Sequence, residues 1–200
     1  MKTLVLLSGG YDSVAVLDRI LAETQDVVTA FHLRWNLAGK DNAPETEAVR
    51  NIVPWLYRNR RPFRLETASF ASSIGCGAAP MIWAALEAGT WLLKQGETFQ
   101  RVLLGSIGPQ SAGSRAFNEM AENLFEAMVE HRMVPPPFDY PFQAPEFSKS
   151  SMLRGMPDEL RAMSWTCKDR RETGGAWTPC GVCAKCREYA DALNNMETSS

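Results

Sequence analysis

The chain has 200 residues, the length of one domain with a small appendage, and 45% of them are hydrophobic, enough for a full core. A formal net charge of −2 argues against a broad basic footprint for nucleic acid. No stretch approaches the ~20 apolar residues of a membrane span, and the run after Lys2 is too short for a secretory leader, so a cytoplasmic protein is expected.

Residues 3–7 read as a buried strand that ends in Ser8-Gly9-Gly10-Tyr11-Asp12-Ser13, and 13–24 follow with a helical pattern, Val14, Val16, Leu17, Ile20 and Leu21. Strand, glycine turn, helix is the geometry of a phosphate cradle. The glycines let backbone N–H groups turn inward, and the helix start aims its unpaired N–H groups and positive dipole end at the same point. The hydroxyls of Ser8 and Ser13 add donors, and Asp12 is a candidate ligand for a phosphate-bridging Mg2+. No lysine follows the glycines, so this is not the G-x-x-x-x-G-K-[ST] loop.

A second strand spans 26–33, followed by a polar loop over 36–44 and a helix over about 45–59. Pro54 predicts a kink or an early end to that helix. Residues 63–67 alternate as a third strand, and a small-residue segment covers 69–79. Pro80 opens an apolar helix from Met81 to about Gln95, stopped by Gly96. Residues 101–106 form a fourth strand. A helix over about 115–131 carries Phe117, Met120, Ala121, Leu124 and Met128 on one face. Pro135, Pro136 and Pro137 break the chain before a fifth strand at 138–142, an edge strand given Pro141.

Strands alternating with helices predict an α/β fold with a parallel doubly wound sheet over 1–145, followed by a helical, cysteine-bearing appendage over 146–200. Ligands of such sheets bind at the carboxyl ends of the strands. The ends at His32–Asn36, Thr67–Ser69 and residues 106–108 should therefore face the glycine loop. His32 and His131 read as structural or solvated.

Of five cysteines, Cys167, Cys180, Cys183 and Cys186 cluster near the end, the last three as Cys-Gly-Val-Cys-Ala-Lys-Cys. Four thiolates at this spacing suit a closed tetrahedral Zn2+ site with a structural role. An iron–sulfur cluster is the alternative. Gly181 permits the tight turn, and Lys185 and Arg187 are expected to offset the negative charge of the site. Cys76 reads as a small buried hydrophobe.

The S-G-G-x-D-S loop together with C-x12-C-G-x-C-x-K-C resembles the 7-cyano-7-deazaguanine synthase family of PP-loop ATP pyrophosphatases, over nearly the whole chain. The resemblance implies a Rossmann-like sheet of the adenine nucleotide alpha hydrolase type, with ATP and Mg2+ at Ser8, Gly9, Gly10, Tyr11, Asp12 and Ser13. It implies a C-terminal Zn2+ site, and ammonia as co-substrate in turning a 7-carboxy-7-deazaguanine into an amide and then a nitrile. Family members are often homodimers. Lys149, in Phe147-Ser148-Lys149-Ser150, resembles the family's phosphate-binding lysine after the last strand. The chain departs from the family on the substrate side. His32-Leu33-Arg34-Trp35-Asn36 replaces a Tyr-Gly-Gln stretch. Residues 75–80 lack the family's Arg and Asn. Residues 111–115 keep only Arg115 of a Tyr-Pro-Asp-Cys-Arg run. Arg34, Trp35, Asn36 and Arg115 are the candidate acceptor pocket, Trp35 to stack on a heterocycle and Arg115 to hold a carboxylate. The missing Asp motivates a second expectation, a protein terminus or other acceptor in place of ammonia. A tRNA sulfur-transfer enzyme and a non-enzymatic zinc module are further alternatives.

Overall fold

The computed structural model describes residues 1–73, 80–106, 112–144 and 146–197. In chain order the elements are β1 (Lys2–Leu6), α1 (Tyr11–Glu23), β2 (Val27–Leu37), β3 (Lys40–Asp41), α2 (Ala43–Asn59), β4 (Arg64–Ser72), α3 (Pro80–Gln95), β5 (Arg101–Leu104), α4 (Ala112–Val129), β6 (Phe138–Asp139), α5 (Lys149–Gly155), α6 (Asp158–Met163), β7 (Arg171–Thr173), β8 (Ala176–Thr178) and α7 (Ala184–Glu197). Cys76 and most of the segments at 75–80 and 107–111 lie outside the described residues.

The chain is α/β, with a mostly parallel central sheet. Parallel strands run in the order β4, β2, β1, β5, β6, and β3 pairs antiparallel with β2 beyond the end of β1. Successive side chains of a strand point to opposite faces, and β1 is buried on both. Val5 joins a cluster with Val14, Leu17, Ile52, Leu56, Leu153 and Leu160 on one side, while Leu4 and Leu6 join Ala85, Leu92, Ala121 and Phe125 on the other. Helices therefore cover both faces, α1, α2 and α5–α7 on one and α3 and α4 on the other. Met152, Leu153, Met156, Leu160 and Ala192, from the last 55 residues, belong to the same apolar cluster as α1. The strand order reverses between β1 and β5, which opens a crevice at their carboxyl ends.

Several boundaries differ from the sequence expectation. β2 runs on to Leu37, so Arg34, Trp35 and Asn36 sit within the strand, and the expected loop is a hairpin turning at Ala38 and Gly39 into β3. β4 extends to Ser72, which places Thr67–Ser69 mid-strand. The fourth and fifth expected strands are shorter, at Arg101–Leu104 and Phe138–Asp139. Helix α2 neither stops nor breaks at Pro54. Pro54 and Arg50 are both exposed, so the carbonyl that loses its donor faces water. The buried stripe of α4 is rotated from the one expected: Ala121, Phe125 and Val129 are fully enclosed with Asn118, whereas Phe117 and Met120 are 38% and 47% exposed. Phe125 packs edge-on against Phe138 at 5.3 Å, and α3 comes so close at Gly89 that a Cβ there would lie 3.2 Å from Met128 Cβ.

Candidate functional site

The glycine loop lies in that crevice. Gly9 has φ +92, in the left-handed region where L side chains are strained, and a Cβ on it would meet the Glu45 carbonyl oxygen at 2.4 Å. Helix α1 starts at Tyr11, two residues before the expected start, with Gly10 as its N-cap. The first intrahelical bond runs from Val14 N to Gly10 O, at 3.0 Å. The N–H groups of Tyr11, Asp12 and Ser13 thus have no intrahelical partner and form the donor end of the helix. The serine hydroxyls are not the free donors expected from the sequence. Ser13 Oγ donates to Gly10 O at 3.0 Å, accepts from Ser8 N at 3.0 Å and meets Ser8 Oγ at 2.9 Å, while Ser8 Oγ accepts from Gly10 N at 3.2 Å. These bonds brace the loop from inside.

Gly105, just past β5, is a site residue that the sequence reading passed over. A Cβ on it would lie 2.6 Å from Ser13 N and 2.7 Å from Asp12 C and Ser13 Cα. The end of β5 and the first turn of α1 touch backbone to backbone, and only glycine fits.

Asp12 carries the electrostatic character of the site. Its Oδ1 is buried and has no hydrogen-bond partner, the only such carboxylate oxygen among the described residues. Buried acids elsewhere are paired: Asp18 accepts from Arg60 at 2.7 Å, and Asp26 from Thr3, Arg101 and the N-terminal amine. Burial pushes the Asp12 carboxyl up from 3.8 to about 6, against the opposing pull of Lys149 and Lys185. An orphaned, desolvated carboxylate beside a helix N-terminus suits a hard divalent cation, which accepts oxygen ligands and offsets the desolvation.

The same shift gives a stability prediction. The folded value lies above the unfolded one, so this contribution to stability is complete below about pH 4 and is lost as pH rises through about 6. Asp12→Asn is therefore expected to stabilise the metal-free protein at pH 7 by about 1–2 kcal/mol, part of the ~3 kcal/mol that a shift of about two pH units represents. Urea melts at pH 7 and pH 4 check this: the gain should shrink at the lower pH, and a variant no more stable than wild type at pH 7 would refute it.

Lys149 is the first residue of α5, fixed by a reciprocal capping box between Ser148 and Ser151. Its Nζ donates to Tyr11 OH at 3.1 Å and pairs with Glu188 Oε1. Burial pulls the Lys149 ammonium below its ordinary value. Glu188 also accepts from Lys185 Nζ at 3.0 Å. Lys185 thus turns to Glu188 and the cleft rather than serving only to offset the thiolates. Arg187 is exposed.

An open cleft of ≈ 240 Å³ is walled by Ser8, Gly10, Asp12, Trp35, Lys168 and Lys185, among others. Burial pushes up the carboxyl of Glu45, which also lines it. A smaller apolar slot adjoins it, lined by Phe31, Leu33, Trp35, Met81 and Leu104, with Ser8, Trp35, Asn42, Pro80 and Gly105 shared between the two. Of the expected acceptor residues only Trp35 lines these spaces. Arg34 and Asn36 are exposed on the other face of β2, and Arg115, exposed in the first turn of α4, is not among the described residues of either wall. Asn42 holds this end of β2, accepting from Trp35 N at 2.9 Å and donating to Leu33 O at 2.8 Å. His32 is structural: Nδ1 donates to Leu7 O at 2.9 Å, which leaves Nε2 to accept from Thr46 at 3.0 Å, and burial lowers its basicity.

The sulfurs of Cys167, Cys180, Cys183 and Cys186 all lie within 4.8 Å of one another and could hold a metal ion such as zinc. Zn–S bonds of about 2.3 Å in a tetrahedron separate sulfurs by about 3.8 Å, so a slight contraction closes the site. Gly181 has φ +76, as the turn requires. Cys180 N donates to Cys167 Sγ at 3.2 Å and Cys183 N to Cys180 Sγ at 3.3 Å. Backbone donors hold the Cys183 thiol down at about 6, close to the thiolate a metal needs. The knuckle is not remote from the glycine loop. Trp165 N donates to Gly9 O at 2.9 Å, Trp165 Nε1 to Cys167 O at 2.7 Å, and Thr166, Cys167 and Lys168 form part of the cleft wall. The intervening β7–β8 hairpin is tied to β3 by Arg170, which pairs with Asp41 at 2.7 Å and lies over Trp177. No helix is long and apolar enough to cross a membrane among the described residues. No family model and no curated protein matches this chain.

Proposed function

We propose that the chain is a Rossmann-like ATP pyrophosphatase of the PP-loop type that adenylates a small carboxylate and couples it to ammonia, as in forming 7-cyano-7-deazaguanine from its 7-carboxy precursor. The observation that carries this reading is the orphaned Asp12 carboxylate at the open donor end of α1, sharing the cleft wall with Lys185 and within the electrostatic reach of Lys149. A triphosphate laid on the N–H groups of Tyr11, Asp12 and Ser13 would meet a helix dipole and two ammonium groups. Asp12 would hold a Mg2+, which when bound neutralises phosphate charge. The substrate carboxylate attacks the α-phosphorus, the α–β bond breaks and pyrophosphate departs. Ammonia then attacks the acyl-adenylate carbon, loses a proton and AMP leaves, giving the amide. For the nitrile, the amide oxygen attacks the α-phosphorus of a second ATP, pyrophosphate departs, and loss of AMP with the nitrogen's protons leaves the C–N triple bond. The loop donors and Lys149 stabilise the charge that gathers on the departing pyrophosphate. Trp35, on the wall between cleft and apolar slot, offers a stacking surface for the heterocycle. The thiolate site would carry zinc and have no part in bond making, since four protein ligands leave no open position.

Arg34 and Asn36 lie on the other face of β2 from Trp35, and Arg115 is not among the described wall residues, which favours a second reading: the same activation with an amine other than ammonia, such as a protein terminus, as acceptor. Incubation with 7-carboxy-7-deazaguanine, Mg-ATP and ammonium, followed by mass spectrometry, tests both. The expected result is AMP and pyrophosphate in equal amounts with an amide or nitrile. AMP with neither product transfers the case to the second reading. ADP as the nucleotide released overturns both.

A further inference from the structure

We propose that Lys185 is a second phosphate-binding cation of this site, and that Glu188 is an anionic placeholder that pairs with Lys185 and Lys149 until a phosphate chain displaces it. The inference rests on the reading of the cleft as a nucleotide site and adds to it residues from the metal-bearing tail. Lys185 lies between two of the four thiols, Cys183 and Cys186, at the start of α7. Whatever fixes those thiols also fixes the backbone of Lys185. Its side chain lines the cleft with Ser8, Gly10, Tyr11 and Asp12. Glu188 follows one helical turn later, on the same face of α7. One of its oxygens takes Lys149 and the other takes Lys185 at 3.0 Å. A single carboxylate thus bridges two ammonium groups from different elements, α5 and α7, as a phosphate would.

The charge count supports displacement. Lys149 and Lys185 are balanced by Asp12 and Glu188, and Lys168 by Glu45 on the same wall, so these side chains carry no net charge and leave the helix N-terminus as the attraction for an added anion. With Asp12 engaged by a divalent cation and Glu188 swung aside, Lys185 is released on the cleft wall and Lys149 beside Tyr11, which also lines that wall. Glu188 is 38% exposed and Lys185 36%, and ion pairs at that exposure are weak and readily exchanged. A flexible ammonium with three donors suits the changing geometry of a leaving pyrophosphate. Lys168, next to Cys167, also lines the cleft, but Lys185 alone of the two is held by the carboxylate that also holds Lys149.

Calorimetric titration of the metal-loaded protein with pyrophosphate, Mg-ATP and adenosine tests the inference. Lys185→Ala should weaken pyrophosphate and Mg-ATP about 10- to 100-fold, the range of one charge-assisted hydrogen bond, leave adenosine unchanged, and be largely restored by Lys185→Arg. Glu188→Gln should tighten pyrophosphate several-fold. Bound metal, measured by elemental analysis, should match wild type in all three variants. Pyrophosphate binding by Lys185→Ala at wild-type strength, or looser pyrophosphate binding by Glu188→Gln, overturns the inference while the nucleotide reading survives. A wild-type protein that binds neither pyrophosphate nor Mg-ATP overturns the nucleotide reading itself.

Discussion

Gly105→Ala is expected to cost about 3 kcal/mol of stability and to abolish nucleotide binding. The new Cβ would stand 2.6–2.7 Å from three backbone atoms of Asp12 and Ser13, and backbone in a helix first turn cannot rotate aside as a side chain can. Overpacking of well-filled sites costs typically 1–3 kcal/mol, and a rigid neighbour puts this one at the upper end. Relief would come by pushing α1 away from β5, which misaims the N–H groups of Tyr11, Asp12 and Ser13. Gly9→Ala should do comparable damage by another route, a left-handed φ of +92 together with a 2.4 Å approach to Glu45 O. Gly155→Ala is the control: nothing lies within 4 Å of its Cβ position, and it should leave stability and binding at wild-type levels. Thermal melts with calorimetric ATP titration decide. A Gly105→Ala protein that melts and binds as wild type would show that the strand and helix ends have room.

Removing metal from the four thiols should unfold more than the tail. Apparent binding energies of structural zinc sites are large, about 10–16 kcal/mol in small peptides, and four sulfurs within 4.8 Å that could hold such an ion would then lack a common partner. The knuckle holds the start of α7 and, through Trp165, the carbonyl of Gly9. Chelation or Cys186→Ser is therefore expected to expose amides at 165–190 to hydrogen exchange and, with them, those at 9–12, while the strands β1, β2 and β5 stay protected. Exchange in the metal-free protein that is raised in the tail but unchanged at the glycine loop would break the link between the two. A preparation that folds fully with no metal and no thiol oxidation would dismiss the metal altogether.

The five parallel strands were legible because each is a short apolar or alternating run between turn residues, and the glycine loop and thiol quartet because their spacing is compact in sequence. What escaped depends on partners distant along the chain. Gly105 looks like any glycine after a strand; its role appears only when β5 pairs with β1 and meets α1. The pairing of Glu188 with Lys149 needs α5 and α7 side by side, and neither helix announces the other. Strand β2 was cut short because the polar Arg34 and Asn36 look like loop residues, although alternation with Trp35 and Leu37 continues through them. In α4 Phe117 and Met120 suggested the wrong stripe, since hydrophobicity alone does not fix which side of a helix meets α3. Pro54 misled because a helix-breaking residue is tolerated where its lost bond faces solvent. The substrate pocket stayed least legible: of four named residues one, Trp35, lines the described cleft.

The bond from Trp165 to Gly9 joins the earliest part of this site to a segment made much later. A ribosome releases the cradle long before the residues that close over it, so a nascent chain can fold its sheet while the pocket still lacks one side. Closing so long a loop is slow and comes late. Chains interrupted by a premature stop upstream of residue 165 would carry the glycine signature intact and yet display only half a binding site.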